Sequence, residues 1–200
     1  MTAGQALAFL ETAGAQRDVL AAAGEMKRLA AQIDVTIHAL GILMCLPHIL
    51  EPGERVEYVS LGAGNTGRQF DLETDRRIAE FKFINWRGGS ESIRQNSIFK
   101  DFFMLADSNS QKCKNLYLLG TAHALKFLQG GRSIKSVLSR GDKVQMLFFE
   151  RFGDRYRKVT DYYHDHHNVV SIVDVSSWLS ELAEALREPI MVGAPEAEKP

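Results

Sequence analysis

The first part of the chain shows a helical pattern of hydrophobic residues. Between residues 19 and 33 apolar side chains recur in steps of three and four, with charged residues such as Lys27 and Arg28 between them. This spacing predicts an amphipathic helix. Asp34 then suits the N-cap of a second helix over residues 35–46, which Pro47 would end. Because the second helix is apolar on nearly all sides, we expect it to be buried in the core or in a dimer contact.

The pattern then changes to strand spacing. Two segments, residues 68–73 and 78–84, alternate apolar and polar side chains, and residues 74–77 between them are polar and typical of a turn. This arrangement predicts a β-hairpin. With its turn centred between the two segments, the antiparallel register places Asp71 directly opposite Glu80.

The predicted hairpin brings two acidic side chains together. Directly opposed residues point to the same face with their Cβ atoms about 5 Å apart, so Asp71 and Glu80 form a carboxylate pair with Lys82 one step further along. Mg²⁺ typically takes only one or two protein carboxylates and keeps several waters, so the pair meets the minimum for a magnesium site. The alternative is a solvated hairpin face on which Lys82 is a surface partner. The opposite face is predicted to hold Phe70, Leu72, Phe81 and Phe83.

The remaining segments predict a mixed α/β fold. After the hairpin they indicate a helix at residues 90–106, a strand at 115–121, a short helix at 134–138, strands at 144–149 and 169–175, and a helix at 178–186. The cluster of His, Tyr and Asp at residues 162–167 is predicted to be a polar loop, with a transition-metal role as the alternative. We expect an N-terminal helical extension over residues 1–48 packed on the core, an α/β domain over 49–188, and a disordered tail over 189–200.

Composition narrows the class of protein. The chain has 200 residues, of which 45% are hydrophobic and 24% charged, which excludes collagen-like, disordered and disulfide-scaffold proteins. The two cysteines, Cys45 and Cys113, show no metal-ligand spacing. The longest apolar stretch, residues 35–46, is shorter than the roughly 18 apolar residues of a membrane helix, and Glu11 interrupts any secretion signal. We therefore expect a cytoplasmic protein with no membrane partner.

The charge distribution is more informative than the net charge of −1. Residues 1–67, 68–158 and 159–200 carry net charges of −3, +8 and −6, so a basic middle lies between acidic ends. This asymmetry is the distribution expected when the middle of a chain faces a polyanion. The alternative is that the charges are spread unevenly over solvated faces.

The residues at the hairpin resemble a known family. Asp71, then Glu80-Phe81-Lys82, then a predicted helix and a strand resemble the PD-(D/E)xK nuclease superfamily, which has the restriction-endonuclease-like fold. The resemblance covers residues 51–121, and Phe70 stands where many members have proline. It implies a mixed central sheet flanked by helices and a Mg²⁺-dependent DNA endonuclease, in which Mn²⁺ can substitute, of a restriction or defence system.

The resemblance also implies roles for individual residues. Asp71 and Glu80 would hold the metal, and Lys82 would be the catalytic lysine that positions the attacking water or stabilises developing charge. An additional acidic ligand is expected from Glu51, Glu54 or Glu57. Glu57 is favoured because it lies in a further strand that the sequence predicts at residues 56–61, before the hairpin.

The helix after the hairpin adds further candidates. Gln95 corresponds to the glutamine of a Gln-x-x-x-Tyr motif found in a subset of the superfamily, with Phe99 in place of the tyrosine. Arg87, Arg94 and Lys100 are expected to contact DNA phosphates, because Arg and Lys supply many of the backbone contacts. Cleavage of both strands would favour a homodimer, because one active site cuts one strand. The alternative function is a non-catalytic module that binds nucleic acid or protein on a nuclease-like fold.

Overall fold

A computed structural model describes residues 2, 4–5, 12, 17–62, 69–83, 86 and 91–186. They form a mixed α/β fold in which helices flank a five-stranded sheet, which confirms the predicted general class. The strands are β1 (Val56–Val59), β2 (Leu72–Thr74), β3 (Arg77–Lys82), β4 (Cys113–Leu118) and β5 (Ser171–Asp174). The helices are α1 (Arg17–Ile49), α2 (Ser92–Asp107), α3 (Ala122–Leu128), α4 (Ile134–Val137), α5 (Asp142–Phe152), α6 (Val159–His166) and α7 (Ser180–Ala185). The predicted tail lies outside the described residues.

The sheet combines antiparallel and parallel pairs. Its strands follow the order of the chain, with β1, β2 and β3 antiparallel and β3, β4 and β5 parallel. In the hairpin of β2 and β3, Leu72 pairs with Ala79 and Glu73 pairs with Ile78. The predicted register is therefore confirmed. Parallel strands require long crossover connections, and helices α2 to α6 provide them.

The sheet separates two hydrophobic cores. Ile78 of β3 and Leu116 of β4 belong to one cluster together with buried aromatic side chains of α2, whereas Phe81 and Tyr117 belong to another that includes Ile42 of α1. Because successive residues of a strand point to opposite faces, the two clusters lie on opposite sides of the sheet. The second cluster, between the sheet and helices α1 and α7, contains Leu72, Phe81 and Phe83, as predicted.

Phe70 is an exception to the predicted face. It lies in the cluster on the α2 side, so its predicted position beside Leu72 is wrong. The physical reason is local, because residues 69–71 form a bend and β2 begins only at Leu72. The strict alternation of a strand therefore does not extend back to Phe70.

Helix α1 is one continuous helix of 33 residues. The predicted break at Asp34 is wrong, because Asp34 is exposed within the helix and the backbone continues through it. Pro47 lies in the last turn, where it removes one backbone hydrogen bond. Burial of Ile42, Cys45 and Ile49 against the sheet stabilises the helix on both sides of the proline.

The length of α1 bears on the expected absence of a membrane segment. Residues Val19–Ile49 are long and apolar enough to cross a membrane by length and composition, with a mean hydropathy of 1.7 in the most apolar window. The prediction that the apolar stretch is too short does not hold for this helix. The same residues include Ile42, Cys45 and Ile49, which fill the core, but only 18% of that window is buried, whereas the core helix of a soluble protein is mostly buried. The absence of a membrane partner remains a prediction.

Two segments adopt helices that the sequence did not predict. Residues 144–149, predicted to be a strand, lie in α5, where Val144, Phe148 and Phe152 share one face at steps of four and pack in the core. A short apolar run does not distinguish a buried strand from a helix. Residues 162–167, predicted to be a loop, lie mostly in α6. There Tyr162 is buried and its ring stacks on His166, with 4.0 Å between the ring centroids.

The two cysteines lie in different environments. Cys45 is buried in the core between α1 and the sheet, and Cys113 is exposed at the start of β4. Burial raises the pKa of the Cys45 thiol to about 11. Since the thiolate is the reactive form, Cys45 is chemically protected while α1 stays in place.

Candidate active site

The candidate site begins where the hairpin ladder ends. Asp71 lies in the bend immediately before β2, and the backbone N–H of Phe81 donates a hydrogen bond to its Oδ2 at 3.1 Å. Leu72 and Ala79 are the last residues that pair between β2 and β3. The Asp71 carboxylate thus accepts a hydrogen bond from a β3 backbone N–H that β2 does not reach. Glu80, the neighbour of Phe81, forms a side-chain hydrogen bond with Asp71. The structure therefore brings the predicted carboxylate pair together.

Lys82 lies beside this pair and connects it to helix α2. Its ammonium is 3.6 Å from Oε2 of Glu80 and 2.8 Å from Oδ2 of Asp101. Asp101 is a buried residue of α2. The ammonium group therefore lies between a carboxylate of the hairpin and a carboxylate of the helix.

A histidine from the other side of the sheet completes the cluster. Nε2 of His38, on α1, is 3.3 Å from Oδ1 of Asp71. Asp71 is thus held by a backbone N–H at one oxygen and by an imidazole at the other. Three separate elements, α1, the hairpin and α2, therefore supply the polar side chains of the site.

The site is largely removed from solvent. The side chains of Asp71, Glu80 and Asp101 are only 17%, 12% and 7% exposed. A solvated hairpin face would leave the carboxylates open to water, so the structure excludes that alternative. Burial of several charged groups is costly unless they are paired or bind a cation.

Burial strongly affects the protonation of Glu80. Loss of hydration raises its pKa to about 9, helped by the charge of Asp101 and by the neighbouring Asp71, and only partly opposed by Lys82. Glu80 is therefore protonated at neutral pH. A protonated carboxyl group can donate a hydrogen bond to an ionised one, so Glu80 and Asp71 share one proton.

The pKa values of Asp71 and Lys82 shift so as to preserve their charges. Burial tends to raise the pKa of Asp71, but the hydrogen bond from His38 and the charge of Lys82 hold it below its ordinary value. Burial likewise tends to lower the pKa of Lys82, but the negative charges of Asp101 and Glu80 hold it above its ordinary value. At neutral pH the site thus combines an ionised Asp71 with an ammonium group.

A small pocket adjoins Lys82. It has a volume of only about 20 Å³, and its lining includes Lys82, Trp86, Arg94 and Gly120. Gly120 follows β4, the parallel neighbour of β3. Ligands of open α/β sheets commonly bind beyond the carboxyl ends of the strands, which is where this pocket lies.

The other predicted residues are placed differently. Gln95 is buried in α2. Glu57 lies on β1 and forms an ion pair of 2.7 Å with Lys112, whose ammonium also contacts the backbone carbonyl of Thr74. Thr74 ends β2, whereas Asp71 precedes its start. Glu57 therefore lies at the turn end of the hairpin and not beside the carboxylate pair.

Two of the three residues that are expected to contact DNA phosphates lie in the described part of the chain. Arg94 lines the pocket and forms an ion pair of 2.6 Å with Glu91. Lys100 is exposed on α2. Arg87 lies outside the described residues.

The donor set of the site is small. Among the described residues, no group of three or more His, Cys, Asp and Glu side chains is arranged to hold a metal ion. Asp71 and Glu80 are a pair of oxygen donors, and one or two carboxylates are what Mg²⁺ typically takes from a protein. The paired carboxylates thus fit Mg²⁺ or Mn²⁺ and not a site formed entirely by protein ligands.

His38 and Asp101 belong to the site but were not predicted from the sequence. Each is a polar residue within an apolar helical run, and Asp101 lies three positions after the buried Ile98, on the inward side of α2. A charged residue at a buried helical position needs a partner, so its position relative to Ile98 could have indicated the pairing. Nothing in the local sequence of His38 identifies Asp71 as its contact.

Comparison with known proteins yields no relative. No family model, no curated protein and no solved structure matches this chain.

Proposed function

We propose that this protein is a Mg²⁺-dependent nuclease of the restriction-endonuclease-like fold that hydrolyses phosphodiester bonds in DNA. The observation that carries the proposal is the contact of Asp71 with Glu80, with Lys82 beside them, in a buried cluster at the end of the hairpin. Asp71 and Glu80 would be the metal ligands and Lys82 the catalytic lysine.

The surrounding residues fit these roles. A bound cation would polarise a phosphoryl oxygen and lower the pKa of a bound water. The Phe81 N–H and His38 fix the orientation of the Asp71 carboxylate. Lys82 supplies a positive charge that can stabilise the charge developing on the phosphate. Asp71 and Glu80 would hold the cation, and Glu80 would have to lose its proton to serve as a ligand.

DNA would approach from the side of the pocket next to Lys82. Arg94 lines this pocket and Lys100 lies exposed on the same helix, so both can contact phosphates. The basic middle of the chain favours a polyanionic substrate. Cleavage of both strands would require two such sites and hence a homodimer. A cytoplasmic restriction or defence role is part of the same proposal.

One observation favours the alternative of a non-catalytic binding module. Lys82 is tied to Asp101 at 2.8 Å, and a lysine held by a buried carboxylate is less free to act on a water or a phosphate. In such a module the charged cluster would stabilise the fold, and binding would depend on the basic surface.

Plasmid cleavage distinguishes the two functions. We expect the wild-type protein to nick or linearise supercoiled DNA with Mg²⁺ or Mn²⁺ and not with EDTA. Asp71→Ala and Lys82→Ala are each expected to reduce the rate by about 100-fold or more, since removing one group that stabilises the transition state typically costs that much. Gln32→Glu, on the exposed surface of α1, is the control and is expected to cut at the wild-type rate.

The outcomes separate the candidates. Metal-dependent cleavage that both Asp71→Ala and Lys82→Ala eliminate supports the nuclease. Salt-sensitive DNA binding without cleavage of supercoiled, linear or single-stranded DNA would contradict the nuclease and favour the binding module. Cleavage that survives both substitutions would assign the activity to a different site.

A further inference from the structure

Helix α1 carries a continuous row of apolar side chains on its outer face. From Val19 to Met44 an apolar residue recurs in alternating steps of four and three, so that one series repeats every seven residues from Val19 and another every seven residues from Ala23. This is the spacing of the contact positions in a two-stranded coiled coil. Met26, Ile33 and Leu40 of this row are 71%, 56% and 54% exposed. The row is named the α1 seam.

The seam differs from the face of α1 that packs on the sheet. His38, Ile42 and Cys45, which contact the site and the core, occupy the positions of the seven-residue repeat that face away from the seam. The helix is thus apolar on two sides for two reasons. Its own sheet covers one side, and the other side is largely exposed in the single chain, except that Ile37 is partly buried against the core.

The C-terminal half of the seam borders a groove. Ile37, Leu40 and Met44 line it on one side, and Leu179 and Leu182, at the start of α7 and within it, line the other. An apolar groove between two helices can accept the apolar face of a third helix. A helix seated there would contact the sheet-bound half of α1.

We propose that the α1 seam binds the α1 seam of a second copy of this chain, with the two helices antiparallel. In the antiparallel arrangement, the series that begins at Val19 faces the series that begins at Ala23 in the other copy. Val19 then lies against Met44 of the partner subunit, and Ala30 lies against Ile33 of the partner subunit. Every seam residue then has an apolar partner. The N-terminal half of each α1 also covers the groove of the other protomer, and this interface does not depend on the proposed nuclease activity.

Charge complementarity selects the antiparallel orientation. Lys27 and Asp34 flank the seam on the same side, and neither forms an ion pair within the described part of the chain. In the antiparallel dimer Lys27 lies beside Asp34 of the partner subunit, and the symmetry axis generates this pair twice. In a parallel dimer the flanking positions pair differently, and Lys27 and Asp34 would each face an uncharged side chain, Ala22 or Leu29 of the partner subunit.

Charge reversal tests both the interface and its orientation. Sedimentation equilibrium on the full chain, over about 1–100 µM, is expected to show a wild-type dimer. Lys27→Glu and Asp34→Lys each create two like-charge pairs and are expected to weaken the dimer about tenfold or more. An equimolar mixture of the two variants restores both attractive pairs and is expected to form a heterodimer of nearly wild-type affinity. Gln32→Glu, on the face of the helix away from the seam, is expected to leave the dimer unchanged.

Several results would overturn the proposal. A wild-type chain that remains monomeric over this range contradicts it, as does a dimer that tolerates Ile33→Asp. Because Ile33 is exposed in the single chain, that substitution leaves the fold intact, and circular dichroism verifies this. Failure of the mixed variants to associate would reject the antiparallel orientation. Binding of a monomeric chain to phosphatidylcholine–phosphatidylglycerol vesicles would assign the seam to a lipid surface instead.

Discussion

Replacing Glu80 with glutamine is expected to stabilise the metal-free protein near neutral pH and to abolish its metal-dependent cleavage. The folded protein raises the pKa of Glu80 to about 9, whereas a glutamate in the unfolded chain titrates near pH 4.3. Between these values the folded state holds a proton that the unfolded state has lost. The free energy of unfolding therefore falls as pH rises through this window.

Glutamine removes this titration and keeps a side-chain donor for Asp71. We expect Glu80→Gln to raise the free energy of unfolding by about 1–3 kcal/mol near pH 7, and the difference from wild type to widen with pH up to about 9. Urea unfolding in EDTA at a series of pH values measures it, because the other titrating groups are common to both proteins.

The same substitution tests the link between stability and metal binding. Mn²⁺ is expected to raise the free energy of unfolding of the wild-type protein and to leave Glu80→Gln unchanged, since a cation that binds only the folded state stabilises it. Plasmid cleavage by Glu80→Gln is expected to fall below detection. A variant that is less stable than wild type at every pH would show that Glu80 is ionised in the folded protein. A variant that still binds Mn²⁺ would remove Glu80 from the ligand set.

Replacing Asp101 with alanine is expected to destabilise the protein by about 3–5 kcal/mol, the usual cost of leaving one partner of a buried ion pair alone. Asp101 is 7% exposed and lies 2.8 Å from the Lys82 ammonium. Without it, Lys82 keeps the longer contacts of 3.6 Å to Glu80 and 3.3 Å to the backbone carbonyl of Phe81. Chemical denaturation of Asp101→Ala measures the loss.

Two further variants distinguish the effect of losing the ion pair from the effect of losing buried side-chain volume. The double variant Lys82→Met/Asp101→Leu removes both charges and is expected to recover most of the stability, as apolar replacements of buried pairs often do. Glu25→Ala is the control, because its ion pair with Arg28 is 57% exposed on both sides, and exposed ion pairs contribute little to stability. Asp101→Ala with the stability of this control would mean that Lys82 reaches solvent when its partner is absent.

The hairpin could be predicted from sequence because its determinants are local. The alternation of apolar and polar residues in two adjacent segments predicts both strands. The polar turn between them predicts the pairing of Leu72 with Ala79, which the structure has. The proximity of Asp71 and Glu80 followed from that register. Residues 144–149 were assigned wrongly because a short apolar run satisfies a strand and a helix equally, and only its packing around Phe148 decides for the helix.

The rest of the site could not be predicted because it is assembled from distant parts of the chain. His38 reaches Asp71 from α1 and Asp101 reaches Lys82 from α2. The helical spacing from Ile98 indicates that Asp101 is buried, but neither contact partner can be read from the sequence, since each contact depends on how a helix packs against the sheet. The raised pKa of Glu80 also depends on this packing, because burial is its largest cause.

The buried thiol of Cys45 makes the attachment of α1 to the sheet observable without any added probe. The thiol is shielded beneath the helix and its pKa is raised to about 11, whereas Cys113 is exposed and can be blocked first. Subsequent modification of Cys45 then requires α1 to leave the sheet. Its rate therefore reports the opening of the helix that carries His38, and slower modification on addition of a cation would indicate that the ion holds the helix closed.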